Sequence, residues 1–520
     1  MMKKGKKYLA LLLAVTMTIT CLAGCGGGEG GNKKTSSNQA GVDIEIAVWN
    51  SGTGIDWLKN LIAGFEEKHP EYNVTFSDSS NINTVNASLG MEDIDTTDLY
   101  LTYVSREYQD MEPLDELLEA TADGDQAPLK DKFNATYLEG AQSEDGHYYS
   151  LTCGGGTLGM VYNTEMFEEA GITQLPRTTD ELILVCDSLK SYGITPLCHF
   201  VGGGYYTYMT QVFMAQYDGI DYYTNNFYSC KDESGNSPSK DVLTKKDGRY
   251  KALKAYEQFI TPEYVLAGSN SKSHTEIQTE FLNDKAAMMF NGSWLSYEMR
   301  NIASSDKFSV MKTPVLSSIT DKLSTVKDDK MLRKVISAID QITDGKKQLS
   351  DYASGDDYII GEDIISKADW EYVTSARNTV ASNFAGQVSF VPNYSNSKEG
   401  AKDFLKYMYS DEGLKIYADT VQNPMPIALS TGESFDTSQY SAYARQHYKL
   451  METAENLPDK HINRRHAIFN AGAADFVDVE YIFNFCSNNA GERMTAEQVW
   501  KLVIDKINDD YDTNWLKNIK

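Results

Sequence analysis

The sequence predicts an α/β protein of two or more lobes, built of sheets flanked by helices. Three observations carry that expectation. The chain has 520 residues, more than a single hydrophobic core organises, so two or more lobes follow. Residues 42–76 read as strand, turn, helix and strand, the opening of a βαβ unit. Residues 275–299 read as helix, turn, strand, turn and helix, a second α/β unit far along the chain. Strands alternating with helices imply sheets covered by helices. A composition of 41% hydrophobic and 11% aromatic residues suits a folded globule and not a disordered chain.

The N-terminus comes first in the chain. Lys3, Lys4, Lys6 and Lys7 form a basic segment. Tyr8 to Leu22 is an apolar stretch of signal-peptide length, too short and too broken by threonine for a good membrane span. It ends in Leu22–Ala23–Gly24–Cys25, which resembles the bacterial lipobox. The resemblance implies a lipoprotein signal peptide over residues 1–24 and a diacylglycerol on the Cys25 thiol. Residues 25–40 then form a lipid-anchored flexible tether, rich in Gly, Ser and Asn, with a reach of roughly 20 Å. The formal net charge is -26, and loss of the four leader lysines takes it to about −30, which repels nucleic acid and anionic lipid. No nucleic-acid partner is expected. Acyl chains would supply the membrane attachment that the charge opposes.

Val42–Trp49 alternates polar and apolar residues as a strand does. Asn50–Ser51–Gly52–Thr53–Gly54 turns the chain, and Ile55–Lys68 is an amphipathic helix with Ile55, Leu58, Ile62 and Phe65 on one face. His69–Pro70 stops it, and Asn73–Phe76 is the next strand. The turn at residues 50–53 sits past the carboxyl end of the first strand, where open α/β sheets place ligands. It matches neither the dinucleotide nor the nucleotide-phosphate fingerprint. Asn50, Ser51 and Thr53 carry side chains that hydrogen-bond neutral polar ligands, although plain turn chemistry accounts for each singly. Asp98–Val104 is a further strand with Tyr103 near its end, a weaker candidate. Residues 111–118 pass from loop into helix.

Two short strands flank Gly154–Gly155–Gly156, whose backbone freedom suits a crossover that must bend. Glu165–Ala170 is a helix, and a longer one runs from a Thr178 or Thr179 cap to Tyr192. Ile194–Leu197 reads as a short strand and Val201–Tyr208 as a loop that offers Tyr205 and Tyr206. Thr275–Leu282 is helical and Ala286–Phe290 is a buried strand. Asn291–Gly292–Ser293 turns the chain, with Ser293 capping a helix that opens at Trp294. That places an indole beyond the carboxyl end of the strand. Asn291 organises its turn. Residues 331–342 and 363–379 are helical, with a polar loop at 344–357 between them. Arg377, Asn383 and Phe384 precede a strand at Val388–Val391 and suit scaffold better than cleft. From Lys398 the chain is strongly helical, and Thr495–Ile507 is a last amphipathic helix.

The order of these pieces resembles the extracellular solute-binding proteins, family 1, of carbohydrate ABC transporters, the group that includes maltose-binding protein. Five matches carry the resemblance: the lipobox with its tether; VYNTEMFEEAGI followed by P-x-T-x-D-E; SYGITPL; KAAMMFNGSW; and SKEGAKDFLKYMYSDEGLKIY followed by Asn423–Pro424–Met425–Pro426. Thr179 stands where the family usually has Trp, the loop at 202–208 lacks a frequent Trp, and residues 317–390 are longer than usual. The resemblance implies a two-lobed periplasmic-binding-protein fold, type II-like and hinged, each lobe a mixed sheet flanked by helices. In it, residues 41–152 plus 315–398 form the N-terminal lobe, with an inserted helical region at about 317–390. Residues 153–314 plus 399–520 form the C-terminal lobe. It implies a carbohydrate ligand closed between the lobes, delivery to ABC permease subunits in the membrane, no catalysis, no cofactor and a monomer on the outer face of the cell membrane. Trp294 leads the binding candidates because the family's NGxW-like position supplies a stacking Trp. If it covers about 80 Å² of sugar, it contributes on the order of 2 kcal/mol, or about thirtyfold in affinity.

Other chemistry is sparse. Of the seven cysteines, Cys21 leaves with the leader and Cys25 is acylated. The remaining Cys153, Cys186, Cys198, Cys230 and Cys486 are odd in number and at no zinc-ligand spacing, so neither a disulfide framework nor a metal site is expected. The nearness of Cys186 and Cys198 leaves one bridge open. Hydrolase and metalloprotease motifs are missing. Two rival classes stay open: a lipid-anchored glycan-degrading enzyme and a surface polysaccharide-binding module. A non-sugar solute in the same fold is the nearest alternative.

Overall fold

The computed structural model describes residues 41–104, 110–199, 204–302, 305–459, 466–471, 481–487 and 489–519. The leader, Cys25 and the tether lie outside them. Eight strands form the two main sheets: β1 (Val42–Trp49), β2 (Tyr72–Ser79), β3 (Leu99–Thr102), β4 (Leu151–Thr152), β5 (Leu158–Asn163), β6 (Met288–Gly292), β7 (Phe308–Met311) and β8 (Val388–Phe390). The first sheet runs β2-β1-β3-β8-β4. β1 is parallel to β2 and β3, while β8 is antiparallel to β3 and β4. Ile44, Ile46 and Val48 of β1 are buried, and the helix Asp56–Lys68 buries Trp57, Leu58, Leu61, Ile62 and Phe65 in the same core. The second sheet is β6-β5-β7, antiparallel throughout. Its core is separate and larger, and takes in Phe213, Tyr256, Met288 and Trp515.

The chain crosses from the first sheet to the second through residues 153–157 and returns through 381–387. These segments pair: the Leu158 N–H donates to the Ala381 carbonyl at 3.0 Å and the Asn383 N–H to the Gly156 carbonyl at 2.8 Å. Gly155 has φ +90°, and a Cβ there would collide with the Asn383 backbone, so the expected need for glycine is met at this residue. A third segment touches the pair, where the Asn423 side-chain amide donates to the Gly155 carbonyl.

The core packing differs from the division expected from the sequence. Helices Asp329–Thr343 and Lys367–Asn378 bury Leu332, Val335, Ile336, Trp370 and Val373 in the second core. Helices Lys398–Met408 and Asp411–Val421 bury Phe404, Leu405, Leu414 and Tyr417 in the first. The elaboration within 317–390 therefore decorates the second lobe, and the helices at 398–421 belong to the first, while the later helices Ala442–Glu452 and Ala496–Asp510 pack with the second-lobe strands and core. The reason is topological. β8 sits between β3 and β4, so the chain has already re-entered the first lobe when those helices begin. An apolar stripe reveals that a helix is buried, not against which sheet.

Smaller differences follow from packing. Residues 204–218 are a helix and not a loop, because Tyr206, Met209, Phe213 and Tyr217 recur at helical spacing and meet the core. Leu197 makes only isolated bridges. The loop expected at 344–357 leads into a small antiparallel sheet at Ala353–Ser354, Asp357–Ile360 and Asp363–Ile365, so the helix expected from 363 begins only at Lys367. Ser293 does not cap the helix Leu295–Glu298; its N–H donates to the Thr157 carbonyl at 2.9 Å, on the crossing segment. The long helix near the C-terminus, Ala496–Asp510, opens on a Thr495–Gln498 capping box. Cys153, Cys186, Cys198, Cys230 and Cys486 are free, buried thiols.

Candidate functional site

The turn after β1 and the turn after β6 face each other across the two lobes. A Cβ built on Gly52 would lie 3.4 Å from both the Trp294 ring and the Glu298 carboxyl. The Tyr297 hydroxyl donates to Asp56 Oδ2 at 3.1 Å. Beside this contact lies a cavity of about 280 Å³. The first lobe contributes Trp49, Ser51, Gly52 and Thr53. The second contributes Tyr205, His274, Trp294 and Glu298. The crossing segments contribute Gly155, Asn383, Gly386 and Gln387. The cavity thus touches both lobes and the strands that join them.

Its polar side chains are held in fixed directions. The Ser51 hydroxyl donates to Gln387 Oε1 at 3.0 Å and lies 3.1 Å from the Thr53 hydroxyl. The Gln387 amide donates to the Trp49 carbonyl at 3.1 Å. The Tyr208 hydroxyl donates to Asn383 Oδ1 at 2.9 Å. On the opposite wall, Trp294 Nε1 donates to the Tyr205 hydroxyl at 3.2 Å, the two rings meeting edge to face at 5.6 Å. Tyr205 meets His274 in the same way at 5.2 Å. The Gln278 amide donates to Glu298 Oε2 at 2.8 Å.

Burial pushes the Tyr205 phenol well above its ordinary range. Burial also lowers His274, with the Glu298 charge opposing that shift. Among the described lining residues, Glu298 is the one carboxylate and none is Lys or Arg. Aromatic edges with oriented neutral donors and acceptors make a wall suited to a polar, uncharged molecule with apolar faces.

Of the residues picked out from the sequence, Ser51, Thr53, Tyr205 and Trp294 line the cavity. Asn50 does not: its amide donates to Asp78 Oδ2 at 2.9 Å and braces β1 against β2. Tyr103 is not in the lining either, and its carbonyl accepts from the Asn86 amide at 2.9 Å. Tyr206 is a core residue, 4% exposed, with its ring 5.7 Å from Tyr256 and 5.9 Å from Phe483. Successive residues on a helix point about 100° apart, so Tyr205 and Tyr206 cannot share a wall. Trp294 is only 8% exposed. It folds back over Gly292, where a Cβ would enter its ring. It therefore presents little open face, about 20 Å² of a side chain of roughly 250 Å², and not the 80 Å² expected.

The sequence reading missed Trp49, His274, Glu298 and Gln387. Trp49 had a usable signal, since it ends the strand whose following turn was already singled out. His274 and Glu298 lie on different helices and had none. Asn383, read as scaffold, lines the cavity. Arg377 is scaffold as expected, in a bidentate pair with Asp340 at 2.9 Å, and Phe384 is buried in the first core.

Residues 51–330 match the family described as bacterial extracellular solute-binding protein. The match covers more than half of the chain, and the chain belongs to that family. An uncharacterised ABC transporter extracellular-binding protein of Pyrococcus horikoshii is 24% identical over 309 residues, 56% of this chain and 65% of the relative. A protein of Brucella abortus (strain 2308), named as a candidate binding protein, is 26% identical over 189 residues, 36% of this chain and 43% of the relative. The chain thus spans under two thirds of the length of each of these relatives. Among solved structures, the GacH receptor of Streptomyces glaucescens, seen unliganded and with acarbose, is similar at 14% identity and TM-score 0.58, covering 91% of this chain and 100% of that one. Maltose-bound MalE3 of T. maritima is similar at 15% identity and TM-score 0.55, covering 90% and 99%. These likenesses establish the two-lobed solute-binding architecture.

Proposed function

We propose that the protein is the substrate-binding lipoprotein of an ABC importer. It captures a sugar or short oligosaccharide between its lobes and delivers it to permease subunits in the membrane. Cys25 carries the lipid that holds it on the outer face of the bacterial cell membrane, and residues 26–40 are the tether. The observation that carries the reading is the cavity that both lobes and their crossing segments share, with Trp49, Tyr205 and Trp294 set among Ser51, Thr53, Asn383 and Gln387. Sugars offer C–H faces to aromatic rings and hydroxyls to fixed amides and hydroxyls. The sugar-bound state of a structural neighbour supports the same reading.

Trp49 is half-buried and more open than Trp294, so it inherits the stacking role. If a ligand covers about 80 Å² of its ring, Trp49→Ala weakens binding about thirtyfold. Isothermal calorimetry over a panel of mono- and disaccharides measures this. Affinity equal to that of the unaltered protein for every bound sugar would remove the cavity from the binding site. A glycan-degrading role would instead require release of reducing ends from polymer, together with a second carboxylate acting beside Glu298.

A further inference from the structure

The charge of the cavity wall is more specific than its polarity. Among the described residues that line it, Glu298 is the one carboxylate, and none is Lys or Arg. Glu298 is half-buried, with Oε2 engaged by Gln278. Oε1 takes no part in that bond. The adjacent cation, Arg300, is directed elsewhere: its guanidinium lies 3.9 Å from the Tyr297 ring centroid and 3.9 Å from Asp56 Oδ2. Glu298 also stands at the interlobe contact, where its carboxyl packs against Gly52. Any ligand closed between the lobes is brought up to this carboxylate. At about 280 Å³ the cavity lies at the small end of ligand clefts, which run to roughly 300–1,000 Å³. That size suits one or two sugar rings.

We propose that Glu298 sets the specificity of the cleft: it accepts from a hydroxyl or amine of an uncharged or amino-bearing saccharide of one or two rings, and excludes sugars that carry a carboxylate or phosphate. This rests on the carbohydrate reading above. An anionic sugar would meet Glu298 at short range with no Lys or Arg among the described lining residues to offset it, and would shed solvation that the described wall does not replace. Like-charge contact of this kind costs on the order of a hundredfold in affinity. Specificity by a repulsive group is the economical way to reject a ligand of nearly identical shape.

The test is calorimetry on the full mature chain with matched pairs: glucose and glucuronate, galactose and galacturonate, with maltose, lactose, cellobiose and glucosamine added. The expected result is binding of at least one neutral or amino sugar, with its uronate weaker by about a hundredfold. The near-isosteric Glu298→Gln reduces that preference to under about tenfold. Its thermal melt, run alongside, confirms folding. A uronate that binds the unaltered protein as tightly as its neutral parent overturns the inference and leaves the carbohydrate reading standing. A folded Glu298→Gln that keeps the full preference also overturns it. No binding across the whole panel overturns the carbohydrate reading and the inference together.

Discussion

The hydroxyl of Tyr205 accepts the Trp294 indole N–H at the cavity wall, while Tyr206, one residue on, is sealed among Tyr256, Phe483 and His199. Tyr206→Ala should therefore cost about 3–5 kcal/mol of stability in chemical denaturation, as large aromatic deletions in cores do. Ligand affinity of the fraction that stays folded should not change. Altered affinity would bring Tyr206 back to the site. Trp294 stands between these cases. It touches the cavity and packs in the second core, so Trp294→Ala should lower both the melting temperature and the affinity. The sequence suggested an affinity effect alone. Thermal melts and calorimetry on one preparation separate the two contributions. The motif NGSW made this residue legible as special, but the ring's orientation depends on Gly292 and Tyr205, which the motif does not describe.

Helices and strands were mostly legible from period and punctuation. β1, the helix Asp56–Lys68 and the Thr178-capped helix fall where alternation, apolar spacing and caps place them. Attachment between elements was not legible. The Lys367–Asn378 helix shows how such a join is made. Its Asp369 carboxylate accepts from the Ser324 N–H at 2.9 Å, the Val326 N–H at 3.2 Å and the Thr325 hydroxyl at 2.5 Å, clamping the helix start to a loop some 44 residues earlier. Burial pushes this carboxyl up, but the hydrogen bonds from Thr325, Ser324 and Val326 outweigh it and hold the group below its ordinary 3.8. The folded state therefore binds the proton more weakly than the unfolded chain does. The clamp's contribution is complete above about pH 5 and is lost as pH falls through the lowered folded value. Asp369→Asn should cost about 2 kcal/mol at pH 7. The difference from the unaltered protein should shrink in denaturation curves taken from pH 5 towards pH 3. A difference that does not vary with pH would show that the carboxylate's charge is irrelevant to the join.

At the scale of the whole molecule, the two lobes meet at Asp56–Tyr297 and through Gly52 against Trp294 and Glu298. They are joined by paired crossing segments at 153–157 and 381–387. Among the described residues few bonds hold the lobes on the cleft side, and glycines sit where the chain crosses, so ligand binding should select a more closed arrangement. Small-angle scattering with and without a sugar identified by calorimetry should show a smaller radius of gyration in the bound state. An unchanged radius would favour a rigid groove and a surface-binding role.

The sequence by itself determined which segments are strands and helices, that the turns after β1 and β6 are the places to look, and the family to which the chain belongs. These are local or ordered signals: periodicity, caps, and motifs in a fixed succession. Only the tertiary structure decided which lobe owns the helices from 329 to 421, that Tyr206 is core, and that Trp49, His274, Glu298 and Gln387 stand with Ser51 and Thr53 around one cavity. Those facts depend on β8 inserting between β3 and β4 and on two crossings folding back against each other. A chain's local pattern carries the shape of each element, but contact between residues hundreds of positions apart is set by how the sheets are threaded.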